Sequence, residues 1–153
     1  MSSRPRPQTE SERYYKCSSI DKARLLPSIF DEPPKYTYSI IVPAYNETKR
    51  MPSMLEETIE YLEERKNSDR TFSYEIIVVD DASDDGTGNV ALEFSKSKKI
   101  ELKVLTLEKN RKKGGAVTQV FIIYYREKEE ISNSLFVKIN VEWSFLFLGD
   151  IVC

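Results

Sequence analysis

The alternation of apolar runs and turns in this sequence predicts an α/β fold, a parallel sheet in β-α-β-α-β order. The first observation is Ile76-Ile77-Val78-Val79 within Tyr74 to Asp80, a continuous apolar, β-branched run that suits a strand covered on both faces. Secondly, Met51, Leu55, Ile59 and Leu62 recur at spacings of four, four and three between Met51 and Arg65, which marks one buried helical face. The third is the succession around them. A strand from Tyr38 to Val42 precedes that helix, and after Asp80 come a turn, a short helix burying Val90, Ala91 and Phe94, and a strand from Ile100 to Leu107. Such units form half of an open nucleotide-binding sheet, whose ligands sit at the carboxyl ends of the strands.

Taken from the amino end, residues 1–24 are expected to be disordered: Met1 to Pro7 is polar, Pro-rich and lacks the apolar core of a signal peptide. Folding signals begin near Leu25, and Pro33-Pro34 breaks the chain before the first strand. Pro43 cannot donate to a central ladder, so that strand is expected to stop there and Pro43 to Glu47 to form a loop. The following helix has two candidate starts, Pro52 at its first position or a capping box of Ser53 and Glu56. A basic loop, Glu108 to Lys113, leads through Gly114-Gly115 into a further helix. Residues 25–119 thus make the predicted domain, and 120–153 read as a divergent tail in which Leu135 to Trp143 alternates like a half-buried strand.

Composition removes whole classes of function. With 153 residues and 40% hydrophobic content there is one core's worth of material. Lys and Arg total 23 against 25 Asp and Glu, so no basic field invites nucleic acid. There is no His, which excludes Ser-His-Asp and Cys-His catalysis and imidazole metal sites, and leaves carboxylates as the candidate bases and ligands. Cys17 and Cys153 are too few and too distant for a disulfide framework or thiolate metal site, which fits a reduced, cytosol-facing chain. The longest apolar run, Val120 to Tyr125, falls short of the roughly 20 residues of a bilayer span, so no transmembrane segment is expected.

The chemistry concentrates at the strand ends. Glu47 and the pair Asp80-Asp81 would face one crevice, where carboxylates accept from a base's imide N–H or from ribose hydroxyls. The competing reading is that Asp81, Ser83 and Asp84 only cap a turn and a helix. A calcium loop fails, because counting from Asp81 the twelfth position is Leu92 and not Glu. Neither G-x-G-x-x-G nor a complete Walker loop is present. Arg111 and Lys113 are long enough to reach a diphosphate.

Val42 to Glu47, then Ile77 to Thr87, then Asn110 to Ala116 resemble, in that order, the inverting family 2 glycosyltransferases of the GT-A, Rossmann-like fold. Leu26 to Asp31, and Lys49 to Pro52 together with Tyr74-Glu75-Ile76, are similar to the dolichyl-phosphate beta-glucosyltransferase family within it. The resemblance spans Leu26 to Gln119. It implies glucose transfer from UDP-glucose to dolichyl phosphate, for protein N-glycosylation, at the cytosolic face of the endoplasmic reticulum membrane. By resemblance, Pro43, Tyr45 and Glu47 line the nucleoside pocket, Asp81 with Asp80 beside it reads the uracil, and Arg111 with Lys113 faces the diphosphate. The family's usual Gly between that Arg and Lys is Lys112 here, which bears on the backbone conformation of the loop.

Family members hold Mg²⁺ or Mn²⁺ through an Asp-x-Asp motif on a later strand, and between Asp85 and Asp150 this sequence has no Asp. No catalytic residue is assigned. The catalytic half and membrane anchor of the family are not recognised either, so the expectation is a chain truncated after the first half of the catalytic domain and inactive alone. The alternative is a catalytically dead fragment that binds a UDP-sugar or a partner.

Overall fold

The computed structural model describes residues 9–27 and 35–124. A 3-10 turn at Ser11–Arg13 leads into strands β1 (Tyr14–Cys17) and β2 (Ile20–Leu25). Strand β3 (Tyr38–Ala44), helix α1 (Met51–Ser68), strand β4 (Tyr74–Asp80), helix α2 (Thr87–Lys98), strand β5 (Lys103–Thr106) and helix α3 (Lys112–Tyr124) follow. The five strands form one sheet in the order β2-β1-β5-β4-β3. β4 pairs in parallel with β3 and with β5, as the sequence predicts, and the α/β class stands. β1 is antiparallel to both β2 and β5.

Period-two alternation divides the core between the two faces of the sheet. Ile40, Val42, Ile76, Val78 and Val104 pack on one side with Met51, Leu55 and Leu62 of α1 and Ala91 and Phe94 of α2. Ile41, Ile77, Val79 and Leu105 pack on the other with Tyr15 and Cys17 of β1 and Ala116 and Val120 of α3. Ile77, Val78 and Val79 are completely buried because helices cover both faces, which explains an apolar run without alternation.

Several expectations change. Residues 9–24 are not disordered: β1 adds to the free edge of β5, with Tyr15 opposite Leu105 and Lys16 opposite Val104. Tyr15 and Cys17 bury side chains there, which a purely polar reading of the segment overlooks. Strand β3 runs through Pro43, which lies opposite Val79. It tolerates proline because β3 ends the sheet among the described residues, so no outer strand needs its missing N–H. Helix α1 starts at Met51, one residue before Pro52, and the Ser53 hydroxyl donates to the Arg50 carbonyl at 3.1 Å, so the capping box is not formed. The helix also outlasts Arg65, to Ser68, and β5 is shorter than Ile100 to Leu107. Of the tail, residues 120–124 complete α3 and the rest, including the proposed strand at Leu135 to Trp143, lies outside the described residues.

Candidate functional site

The site is built where β3, β4 and β5 end. The ladder continues past the strands, since the Asp81 amide donates to the Ala44 carbonyl at 2.8 Å and the Leu107 amide to the Asp80 carbonyl at 2.8 Å. The three connecting loops therefore leave the sheet side by side.

Side chains then tie the loop after β3 to the loop after β4. The Asn46 amide donates to Ser83 Oγ at 3.0 Å, and the Asp84 amide to Asn46 Oδ1 at 3.1 Å. The Glu47 amide donates to Thr87 Oγ1 at 2.8 Å and the Thr48 amide to Asp85 Oδ2 at 3.2 Å. Asn46 sits at φ 53°, a left-handed conformation that Asn tolerates better than most residues. Asp85 Oδ1 also accepts from the Thr87 amide and from its hydroxyl. The Thr87 hydroxyl bond, and then the other donors, hold the Asp85 carboxyl below its ordinary 3.8. The capping role read for Asp81, Ser83 and Asp84 thus falls chiefly to Asp85 and to Asp80, whose Oδ1 accepts from the Ser83 amide at 3.1 Å.

A pocket of about 390 Å³ opens beside these loops, lined by Pro43, Ala44, Tyr45, Glu47, Asp81, Asn110, Lys112, Lys113 and Ala116. Five of the seven residues singled out in the sequence meet there: Pro43, Tyr45, Glu47, Asp81 and Lys113. Tyr45 is half exposed. Asp81 is buried to 3% exposure, its Oδ1 accepting from the Arg111 amide at 2.7 Å. Glu47 pairs with Arg50 at 3.4 Å. The other two lie elsewhere. Asp80 is buried beneath α2, where Oδ2 would come within 2.7 Å of any Cβ on Gly88. The Arg111 guanidinium turns from the pocket to Glu12, with Nη2 to Oε2 at 2.7 Å.

Sequence reasoning assigned no role to Asn110 or Glu12, and Lys112 was read only as one of three cations that could offset diphosphate charge. Asn110 had a legible signal: Asn two residues before a helix start makes the side chain-to-backbone bond found here, Lys112 N to Asn110 Oδ1 at 3.0 Å. Lys112 adopts φ 61°, so the position where the resemblance leads one to expect glycine keeps the backbone that glycine favours. Among the described residues no three His, Cys, Asp or Glu side chains converge to hold a metal ion, so the residues present do not fit one.

With this geometry in hand, the sequence profile of Glycosyl transferase family 2 matches residues 39–124. The chain belongs to that family. The matched stretch contains all three pocket loops, and it continues past Gln119 into the last turn of α3. Among curated relatives, a dolichyl-phosphate beta-glucosyltransferase of Mus musculus is 47% identical over 111 residues, 72% of this chain and 34% of that protein. The Homo sapiens protein of the same name is 46% identical over 109 residues, 71% and 33% respectively. The Drosophila melanogaster one is 48% identical over 97 residues, 63% and 29%. The chain thus spans about a third of the length of these family 2 relatives. No solved structure matches it.

Two outcomes follow from the loops. Lys112→Gly relieves a left-handed conformation that costs an L-residue about 1 kcal/mol, so its urea midpoint should rise, whereas Lys112→Ala should leave it unchanged or lower. In an NMR titration the Asp85 carboxyl should ionise below its ordinary value of 3.8, and Thr87→Val should move it upward. Because the folded value is the lower one, its stabilisation is present above the unfolded pKa, about 3.9, and disappears as pH falls through the folded value.

Proposed function

We propose that this chain forms the nucleotide-binding half of a glucosyltransferase that takes UDP-glucose as donor and dolichyl phosphate as acceptor, at the cytosolic face of the endoplasmic reticulum membrane. The names of the curated relatives support the reaction class. The observation that carries the reading is the pocket itself, with carboxylate acceptors from two adjacent strand ends and two ammonium groups from the start of α3. No helix among the described residues is long and apolar enough to cross a membrane, so in this reading the described residues supply donor binding rather than a membrane span.

In the proposed complex, Asp81 Oδ2, which no hydrogen bond engages among the described residues, accepts the uracil imide N–H. Glu47 accepts from ribose hydroxyls, and Pro43 with the exposed Tyr45 ring forms the apolar wall beside the base. Lys112 and Lys113 offset the diphosphate charge, aided by the first-turn N–H groups of the helix that carries them. Mg²⁺ or Mn²⁺ would supply the further charge stabilisation that a departing diphosphate needs. The described residues offer no ligand set for it, and the second reading is a domain that binds the donor without transferring its sugar.

Calorimetry with UDP tests the binding assignment. Loss of one charged hydrogen bond costs about 1.5 to 3 kcal/mol, so Asp81→Ala should weaken UDP at least tenfold, and equal affinities would remove Asp81 from the site. A radiolabelled transfer assay on the 153 residues with UDP-glucose, dolichyl phosphate and either metal should give no product above the enzyme-free control. Metal-dependent glucosyl lipid would overturn the binding-only reading.

A further inference from the structure

We propose that Glu12 is a positioning residue of the nucleotide pocket, acting through Arg111 to set the Asp81 carboxylate. The inference rests on the nucleotide reading above and extends it to a segment 99 residues away from Arg111 in sequence. Glu12 is fully buried in the turn before β1. Its Oε2 accepts from Arg111 Nη2 at 2.7 Å, from Gln119 Nε2 at 3.3 Å and from the Thr9 amide at 3.3 Å. Its Oε1 accepts from the Glu108 amide at 3.0 Å. One carboxylate therefore fastens the start of the pocket loop, its end, and the helix behind it.

Arg111 is the link to the pocket, because it serves two carboxylates with different atoms. Its guanidinium donates to Glu12 while its backbone amide donates to Asp81 Oδ1 at 2.7 Å. Nε of the same guanidinium is buried without a partner, so among the described residues Glu12 alone fixes the side chain. Moving it displaces the amide that orients Asp81. The ion pair also neutralises Arg111, so the charge offered to a diphosphate comes from the exposed Lys112 and Lys113, which do line the pocket. A carboxylate with bonded donors at both oxygens, in low dielectric, holds its partners far more rigidly than an exposed pair would.

The test uses the full chain and the near-isosteric Glu12→Gln, with amide hydrogen exchange and UDP calorimetry. Exchange at the Arg111 and Glu108 amides should accelerate at least tenfold, with Ile77 and Val78 in the core unchanged, and UDP affinity should fall at least tenfold. Exchange that is unchanged at Arg111, or that accelerates equally in the core, overturns the proposal. So does undiminished UDP affinity of a folded Glu12→Gln. Should that variant not fold, Glu12→Leu combined with Arg111→Met removes both charges: weakened UDP binding supports the proposal and wild-type affinity refutes it. Absence of UDP binding by the unaltered chain would defeat the nucleotide reading, and the exchange results would still decide whether Glu12 positions Arg111.

Discussion

Strand β4 is the constraint from which the site derives. It is paired in parallel on both edges and packed by helices on both faces, leaving Ile76 to Asp80 at 5% exposure or less. A strand so enclosed has no freedom of register, because a one-residue slip would exchange every side chain between the two core layers. Ala44 is thereby fixed beside Asp80, and Asp80 beside Thr106. Asp81, the residue that leaves the sheet at this point, inherits that precision.

What happens beyond the strand ends is a matter of satisfying backbone groups without a ladder. The loops after β3 and β4 would present a row of free amides, and Ser83, Thr87, Asp85 and Asn46 accept from them instead. Each such bond contributes about 0.5 to 1.5 kcal/mol net, but together they hold a concave surface open to solvent in one shape. The left-handed residues Asn46 and Ala82 occur in these loops, and Lys112 opens α3 at the same pocket. Backbone strain placed at a pocket and compensated by surrounding bonds is a common property of binding sites.

Electrostatically the pocket is divided rather than uniformly charged. Carboxylates stand at the sheet side and lysines at the start of α3, and the potentially dominant cation of the loop, Arg111, is withdrawn into a buried pair with Glu12. Removing one member of such a pair costs about 3 to 5 kcal/mol because the other is left charged and unpaired. The amino-terminal turn is thus coupled to the loop energetically as well as geometrically, and the pocket acquires support from a segment before the first parallel strand.

The class of fold and most of the pocket were legible in the sequence because they follow from short-range patterns. Spacings of three and four in α1, the unbroken apolar run of β4, and acidic residues where that run stops are local properties, and they put Glu47 and Asp81 at the strand ends, where both line one pocket, whereas Tyr45 was singled out by family resemblance alone. Helix and strand limits moved by a few residues, since Pro43 is permitted or forbidden in a strand according to whether a neighbour needs its N–H, which only the strand order decides. Residues 14–24 read as unstructured because their polar, charged sequence carries little burial signal, while β1 is held by pairing with β5 about 90 residues later and β2 by pairing with β1. The same holds for Glu12 and Arg111: a carboxylate and a guanidinium are ordinarily surface groups, and nothing in either local sequence indicates that the fold buries one against the other. Side-chain periodicity determined which elements form, and long-range pairing decided which charges line the pocket and which are buried behind it, because charge and hydrogen-bond partners depend on distance in space rather than along the chain.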